Sequence, residues 1–103
     1  MNNSRIEQID NEINQVIPAL LGPLRAKKQL DHASLKKIEA LLDELRDALS
    51  SESDVPKQLV GRVWFIFTSM LAEADHAKNN KEEIEIAAWS VQEKLRRIFG
   101  PIF

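Results

Sequence analysis

Apolar residues recur every three or four positions in four separate stretches of this chain, and this spacing limits its fold more than any other feature. Such spacing places the apolar side chains on one face of an α-helix. No stretch shows the strict alternation of a half-buried β-strand. The sequence therefore predicts an all-α protein, with helices at about 4–21, 34–50, 55–78 and 81–99.

The first predicted helix has a clear start and an ambiguous end. Its apolar stripe consists of Ile6, Ile9, Ile13, Val16, Ile17 and Leu20. Ser4 and Glu7 have the spacing of a capping box, which marks a helix start. Gly22 and Pro23 form a stop signal, and Pro18 inside the stripe either kinks the helix or ends it early.

The second predicted helix has the most regular pattern. Its apolar residues follow a heptad seam and are Leu35, Ile38, Leu42, Leu45 and Leu49. Residues 24–33 are predicted to form the connection before it. We expect Asp31 or Ser34 to cap its start.

The third and fourth predicted helices make up the rest of the chain. Asp54 is expected to be the N-cap of the third helix, with Pro56 in its first turn. This helix is apolar most of the way round, which is typical of a helix at the centre or at an interface. Trp64 and Phe67 are predicted to lie on its core face. The buried face of the fourth helix is predicted to be Ile84, Ala87, Ala88, Val91, Leu95 and Ile98.

Four amphipathic helices with short connections predict an antiparallel up-down four-helix bundle. A chain of 103 residues is long enough for one hydrophobic core, so we expect a single domain over residues 1–103. The alternative is a three-helix core that is completed by dimerisation, with the third helix at the dimer interface.

The composition excludes several kinds of chemistry. The chain has no cysteine, which excludes disulfide scaffolds, thiol nucleophiles and Cys-based metal sites. It has only two histidines, and no serine lies in a nucleophile-elbow pattern. Its three glycines do not form a phosphate-binding loop. We therefore expect a protein that is not an enzyme and that has no cofactor.

The charge pattern favours neither nucleic acid nor membranes as partners. The net charge of -2 gives no general attraction to polyanions. A basic cluster within 25–37 is followed by an acidic segment and contains no aromatic residue to stack on bases. The longest apolar stretch is shorter than the ~20 residues of a membrane span, and no secretory signal is recognisable. We expect a cytoplasmic location, which the absence of cysteine fits.

Two surfaces are candidates for binding a protein partner. Glu39, Asp43 and Asp47 repeat every four residues, so we expect an acidic stripe on one outer face of the second helix. Such a stripe serves solubility or attracts a basic partner. Phe65 and Phe103 are the aromatic residues that are hardest to bury in a lone bundle. If exposed, they mark a partner surface, because aromatic residues are enriched in binding hot spots. The alternative is a well-packed core with Phe103 folded over the end of the bundle.

One pair of residues has the spacing of metal ligands. Glu73 and His76 lie three positions apart, as ligands do in carboxylate-bridged di-metal bundles. The chain has no second such pair, so a complete site needs a second copy of the chain, with Glu83 or Glu85 adding carboxylates. The alternative is a solvated last turn in which His76 lies near the negative helix end.

The leading functional hypothesis is a small interaction protein, of a regulatory, inhibitor or immunity type, that binds a protein partner or itself. It is based on the lack of catalytic motifs and on the two candidate surfaces, and the analogy to such proteins rests on size and class alone. The alternative is a homo-oligomeric metal-binding bundle or a structural subunit.

Overall fold

The computed structural model describes residues 2–101, with side chains from residue 4 onward. Within this range the chain forms four α-helices and no strand: α1 (Asn2–Lys27), α2 (His32–Leu49), α3 (Lys57–His76) and α4 (Lys81–Phe99). The predicted all-α class and the four-helix bundle are confirmed. No helix within residues 2–101 combines the length and the apolar content needed to cross a bilayer.

One hydrophobic core runs through all four helices. Its largest fully buried side chains are Ile6, Ile9, Ile13, Leu20, Leu21, Leu24, Ile38, Leu42, Leu45, Leu59, Ile66 and Met70. α4 closes this core with Ile84, Ala88 and Leu95, none of which is exposed. The alternative of a three-helix core is therefore not what the structure shows.

The contacts between α2 and α4 show how the two halves of the chain are arranged. Three polar contacts join residues that are 51 positions apart, namely His32 with Glu83, Glu39 with Ser90, and Asp43 with Lys94. A constant offset means that α2 and α4 run in the same direction. The contacts of α1 and the residue after it with α3 also advance in the same direction, from Asp10 with Arg62 to Lys28 with Glu73.

The fold is therefore two helical hairpins packed side by side. The first hairpin is α1 with α2, and the second is α3 with α4. α1 lies beside α3 and α2 lies beside α4, so α1/α4 and α2/α3 are the diagonal pairs. Arg5 near the start of α1 contacts Glu44 near the end of α2, so these two helices run in opposite directions. Direction therefore alternates along the chain, and the connection 50–56 crosses a diagonal at one end of the bundle. The connections 28–31 and 77–80 lie at the other end.

The predicted end of α1 is wrong, because the helix continues through Gly22 and Pro23 to Lys27. Gly22 does not have the positive φ of a helix-ending glycine. Leu21 and Leu24 are both buried, so the apolar stripe continues past the stop signal. Tertiary burial thus outweighs the local signal over the segment predicted to be a connection.

Pro18 also lies inside α1 and does not end it. A proline cannot donate the hydrogen bond to the carbonyl four residues earlier. For Pro18 and Pro23 these carbonyls belong to Asn14 and Ala19, and both residues are exposed. Water can therefore supply the missing donors, which explains how the helix tolerates two prolines.

Of the predicted N-caps Ser4, Asp31 and Asp54, only Asp31 occupies an N-cap position. Ser4 is not an N-cap, because α1 has already begun before it. Asp31 occupies the N-cap position of α2, and its carboxylate accepts a hydrogen bond from the Ser34 hydroxyl at 2.8 Å. α3 begins after Pro56, which takes the N-cap position predicted for Asp54.

Candidate functional site

The second hairpin exposes large apolar side chains. Trp64 and Phe65 on α3 are 50% and 44% exposed, and Ile86 and Trp89 on α4 are 56% and 53% exposed. We call these four residues the aromatic face. In a bundle with a closed core, apolar side chains that remain in water on one hairpin are the feature that most needs a functional explanation.

The aromatic face includes a residue that was predicted to be in the core. Trp64 is exposed because the core stripe of α3 passes through Val63 and Phe67, and each residue turns the helix by about 100°. Its indole packs edge-on against the Phe67 ring, with 6.1 Å between the ring centroids. Trp64 lies about three turns before the end of α3 and Trp89 about two turns after the start of α4, so they are about one turn apart along the bundle.

Phe65 lies on the surface, where its prediction as a partner contact requires it to be. The Arg25 guanidinium on α1 lies 5.3 Å from the centroid of its ring, which is a cation–π contact. Arg25 is itself exposed. Phe65 is therefore bordered by a positive charge on the side of α1 and remains accessible to a partner.

The exposed side of α3 carries no charge over its central part. No charged residue occurs between Arg62 and Glu73 in the sequence. Those two residues turn toward α1, where Arg62 contacts Asp10 and Glu73 contacts Lys28. The Thr68 hydroxyl donates to the Trp64 carbonyl at 2.9 Å, so it has a partner within the helix. This part of α3 can be desolvated at low cost.

Phe103, the other aromatic residue predicted to contact a partner, lies outside the described residues. The structure therefore does not test that prediction.

The acidic stripe on α2 is not wholly an outer face, contrary to the expectation. Glu39 is half-buried and accepts a hydrogen bond from the Ser90 hydroxyl at 2.7 Å. Asp43 accepts one from Lys94 Nζ at 2.8 Å, and Asp47 is exposed. Four residues turn a helix by about 40° more than a full circle, so the stripe starts against α4 at Glu39 and is exposed from Asp43 onward.

A groove of about 500 Å³ lies between α2 and α4. Its lining combines apolar residues with an acidic rim and consists of Leu30, His32, Leu35, Glu39, Glu82, Glu83, Ile86, Ala87 and Ser90. His32 Nε2 and Glu83 Oε1 are 3.1 Å apart at its edge. Ile86 belongs to both the groove and the aromatic face, so the groove can receive an apolar side chain at the margin of that face.

The structure does not complete the metal site of the weaker hypothesis within one chain. Glu73 Oε1 is 2.8 Å from Lys28 Nζ, and Glu83 contacts His32 on the opposite side of α4 from α3. Across residues 2–101 no group of three or more His, Asp or Glu residues is placed to hold a metal ion. His76 is exposed at the end of α3.

Sequence reasoning missed a buried carboxylate at the contact of the two hairpins. Asp10 is 2% exposed; its Oδ2 contacts the Arg62 guanidinium and accepts a hydrogen bond from Gln58 Nε2 at 3.0 Å. The sequence did indicate this burial, because Asp10 lies four positions after Ile6 and three before Ile13 and so falls on the apolar stripe of α1. The residue links α1 to α3 and lies apart from the aromatic face.

Comparisons with protein-family models, with curated proteins and with solved structures find no match to this chain.

Proposed function

We propose that this protein is a non-enzymatic interaction module that binds a protein partner in the cytoplasm through the aromatic face of its second hairpin. The observation that carries the proposal is the half-exposed state of Trp64, Phe65, Ile86 and Trp89. Covering such side chains is favourable by about 25 cal/mol per Å² of apolar surface removed from water. Trp in particular is enriched among the residues that dominate binding energy.

The contrast with the first hairpin supports this proposal. The outward residues of α1 and α2 are small, amide or charged, and include Asn11, Asn14, Ala19, Lys36, Ala40 and Glu44. The exposed large apolar residues of the described chain are therefore confined to one hairpin. A one-sided apolar patch is typical of a binding surface, whereas scattered apolar residues are ordinary.

The chemistry of the face favours binding over catalysis. Its indole, phenyl and aliphatic side chains include no nucleophile and no acid or base that titrates near neutral pH. The chain shows no pattern for nucleic-acid or membrane binding, so the proposed partner is a protein. Its contact surface should be apolar at the centre, with basic residues placed toward the acidic rim of the groove.

Site-specific photo-crosslinking in cells of the source organism tests the proposal. A photo-reactive amino acid replaces Trp89 on the aromatic face, and in a matched control it replaces Ala40, which is exposed on the outer side of α2. We expect a discrete crosslinked product from position 89 and none from position 40. No product at position 89, or the same products at both positions, contradicts the proposal.

A further inference from the structure

We propose that the α3 part of the aromatic face, Trp64 and Phe65, binds a second copy of this chain, and that the two copies pair through antiparallel α3 helices about a two-fold axis. This inference rests on the proposed function and names the partner that it leaves open. It follows from three features of the outer side of α3: the sizes of its side chains, their spacing along the helix, and the charges at the two helix ends.

The outer side of α3 has the spacing of a helix-pairing seam. Gly61, Phe65, Thr68 and Ala72 follow one another at intervals of four, three and four, as residues do along the contact line of two packed helices. Gly61, Phe65 and Ala72 are exposed, and Thr68 is half-buried. A Cβ atom added at Gly61 would meet nothing within 4 Å, so this part of the seam opens outward.

The seam is complementary to itself in the antiparallel direction. If the two-fold axis passes near the middle of α3, Phe65 lies opposite Thr68 of the second copy, and Gly61 lies opposite Ala72. Each large side chain then faces a smaller one, and Gly61 lets the helix backbones approach closely. A two-fold interface requires this kind of self-complementarity, because the same patch supplies both sides.

Charges at the ends of the seam favour the antiparallel direction. Lys57 at the start of α3 and Asp75 near its end are both exposed. Antiparallel pairing brings Lys57 of each copy beside Asp75 of the other, which gives two opposite-charge contacts by symmetry. Parallel pairing would place like charges together, which is unfavourable.

One exposed charge borders the centre of this interface, the Arg25 guanidinium, which lies 5.3 Å from the centroid of the Phe65 ring on the side of α1. The flanking Arg62 and Glu73 are held by Asp10 and Lys28 on the side of α1. On the side of α4, Trp64 extends the apolar contact beyond the seam. An interface formed mainly by one helix from each copy is at the small end of stable interfaces. We therefore expect a dimer with a Kd on the order of 1–100 μM.

Sedimentation equilibrium of the purified chain with a charge-reversal series tests this pairing. Lys57→Glu and Asp75→Lys each place like charges together, and each is expected to weaken the dimer about tenfold. The double variant restores opposite charges across the interface, and its Kd is expected to return to within about threefold of the wild type. Lys36→Glu, on the outer side of α2, is the matched control and should leave the Kd unchanged.

Gly61→Leu supplies a second test that does not depend on charge. A Cβ atom at position 61 meets nothing within 4 Å in the monomer, and leucine raises helix propensity, so we expect circular dichroism to show that the fold persists. In the dimer the new side chain separates the two backbones, and we expect at least a tenfold loss of affinity.

Three results would overturn the inference. They are a wild-type chain that stays monomeric up to about 500 μM, a double charge variant that dimerises no better than the single ones, and a Gly61→Leu dimer of unchanged affinity. A monomeric chain whose position 89 crosslinks to a different protein would refute the self-pairing but retain the proposed function.

Discussion

Asp10 shows how a single polar residue can orient one hairpin against the other. It is the one charged residue that is buried among the described side chains, and its partners Arg62 and Gln58 are both on α3. Its Oδ1 atom has no hydrogen-bond partner among the described residues, so the carboxylate depends on the contacts of Oδ2. Because a buried carboxylate is costly without such partners, α1 and α3 are held in a register that keeps Asp10 opposite Arg62.

Replacing Asp10 with alanine is expected to destabilise the fold by about 2–4 kcal/mol, because Arg62 is left partly buried without its counter-ion. Urea unfolding followed by circular dichroism measures this as a lower midpoint at constant slope. The double variant Asp10→Leu with Arg62→Met removes both charges and should recover most of the loss. If Asp10→Ala changed the free energy of unfolding by less than about 0.5 kcal/mol, the ion pair of Asp10 with Arg62 would contribute little to stability.

At the scale of the element, the start of α4 also holds the end of α1. Asn80 stands at the N-cap position of α4, yet its side chain makes no capping hydrogen bond. Its amide nitrogen instead donates to the carbonyl of Lys28, the residue with φ 54° that follows α1. Lys28 Nζ contacts Glu73 on α3, so this corner joins three helices.

The substitution Asn80→Asp separates the two roles that this residue can have. Aspartate is as good an N-cap as asparagine but cannot donate to the Lys28 carbonyl. We therefore expect Asn80→Asp to cost about 1 kcal/mol, as much as Asn80→Ala, in thermal or urea unfolding. Wild-type stability in Asn80→Asp, together with a loss in Asn80→Ala, would instead identify Asn80 as a cap.

The helices themselves were predictable because each has a periodic apolar stripe, but their ends depend on contacts that are distant in sequence. α1 continues beyond Gly22 because Leu24 is buried in the core. The residues around Gly22 give no indication of that burial. α3 has apolar residues on most of its sides, so the periodicity of its sequence does not determine which side faces the core. Phe65 was identified as hard to bury but its exposure was left open, whereas Trp64 was wrongly assigned to the core, next to the buried Val63.

At the scale of the whole molecule, the two hairpins share one core and should unfold together. Both tryptophans, Trp64 and Trp89, lie in the second hairpin, so their fluorescence reports on that half alone. Leu42 lies in the first hairpin and is 1% exposed. A mutation there is therefore detected in the second hairpin only if the two halves are coupled.

Leu42→Ala is expected to lower the free energy of unfolding by about 2–5 kcal/mol, because it leaves a cavity in the shared core. Unfolding is followed in parallel by tryptophan fluorescence and by far-ultraviolet circular dichroism. We expect the two transitions to shift together and to coincide. A fluorescence transition that stays at the wild-type midpoint while circular dichroism shifts would show two independently stable halves.

The side-by-side placement of the hairpins allows the four helices to be connected in a different order. The connection 50–56 joins α2 to α3 across one diagonal of the bundle. At the same end of the bundle, the start of α1 and the end of α4 lie on the other diagonal. A linker of similar length between those two helix ends would replace it, and the chain could then be opened within 50–56. Such a circular permutant would exchange the order of the hairpins while leaving every helix–helix contact in place.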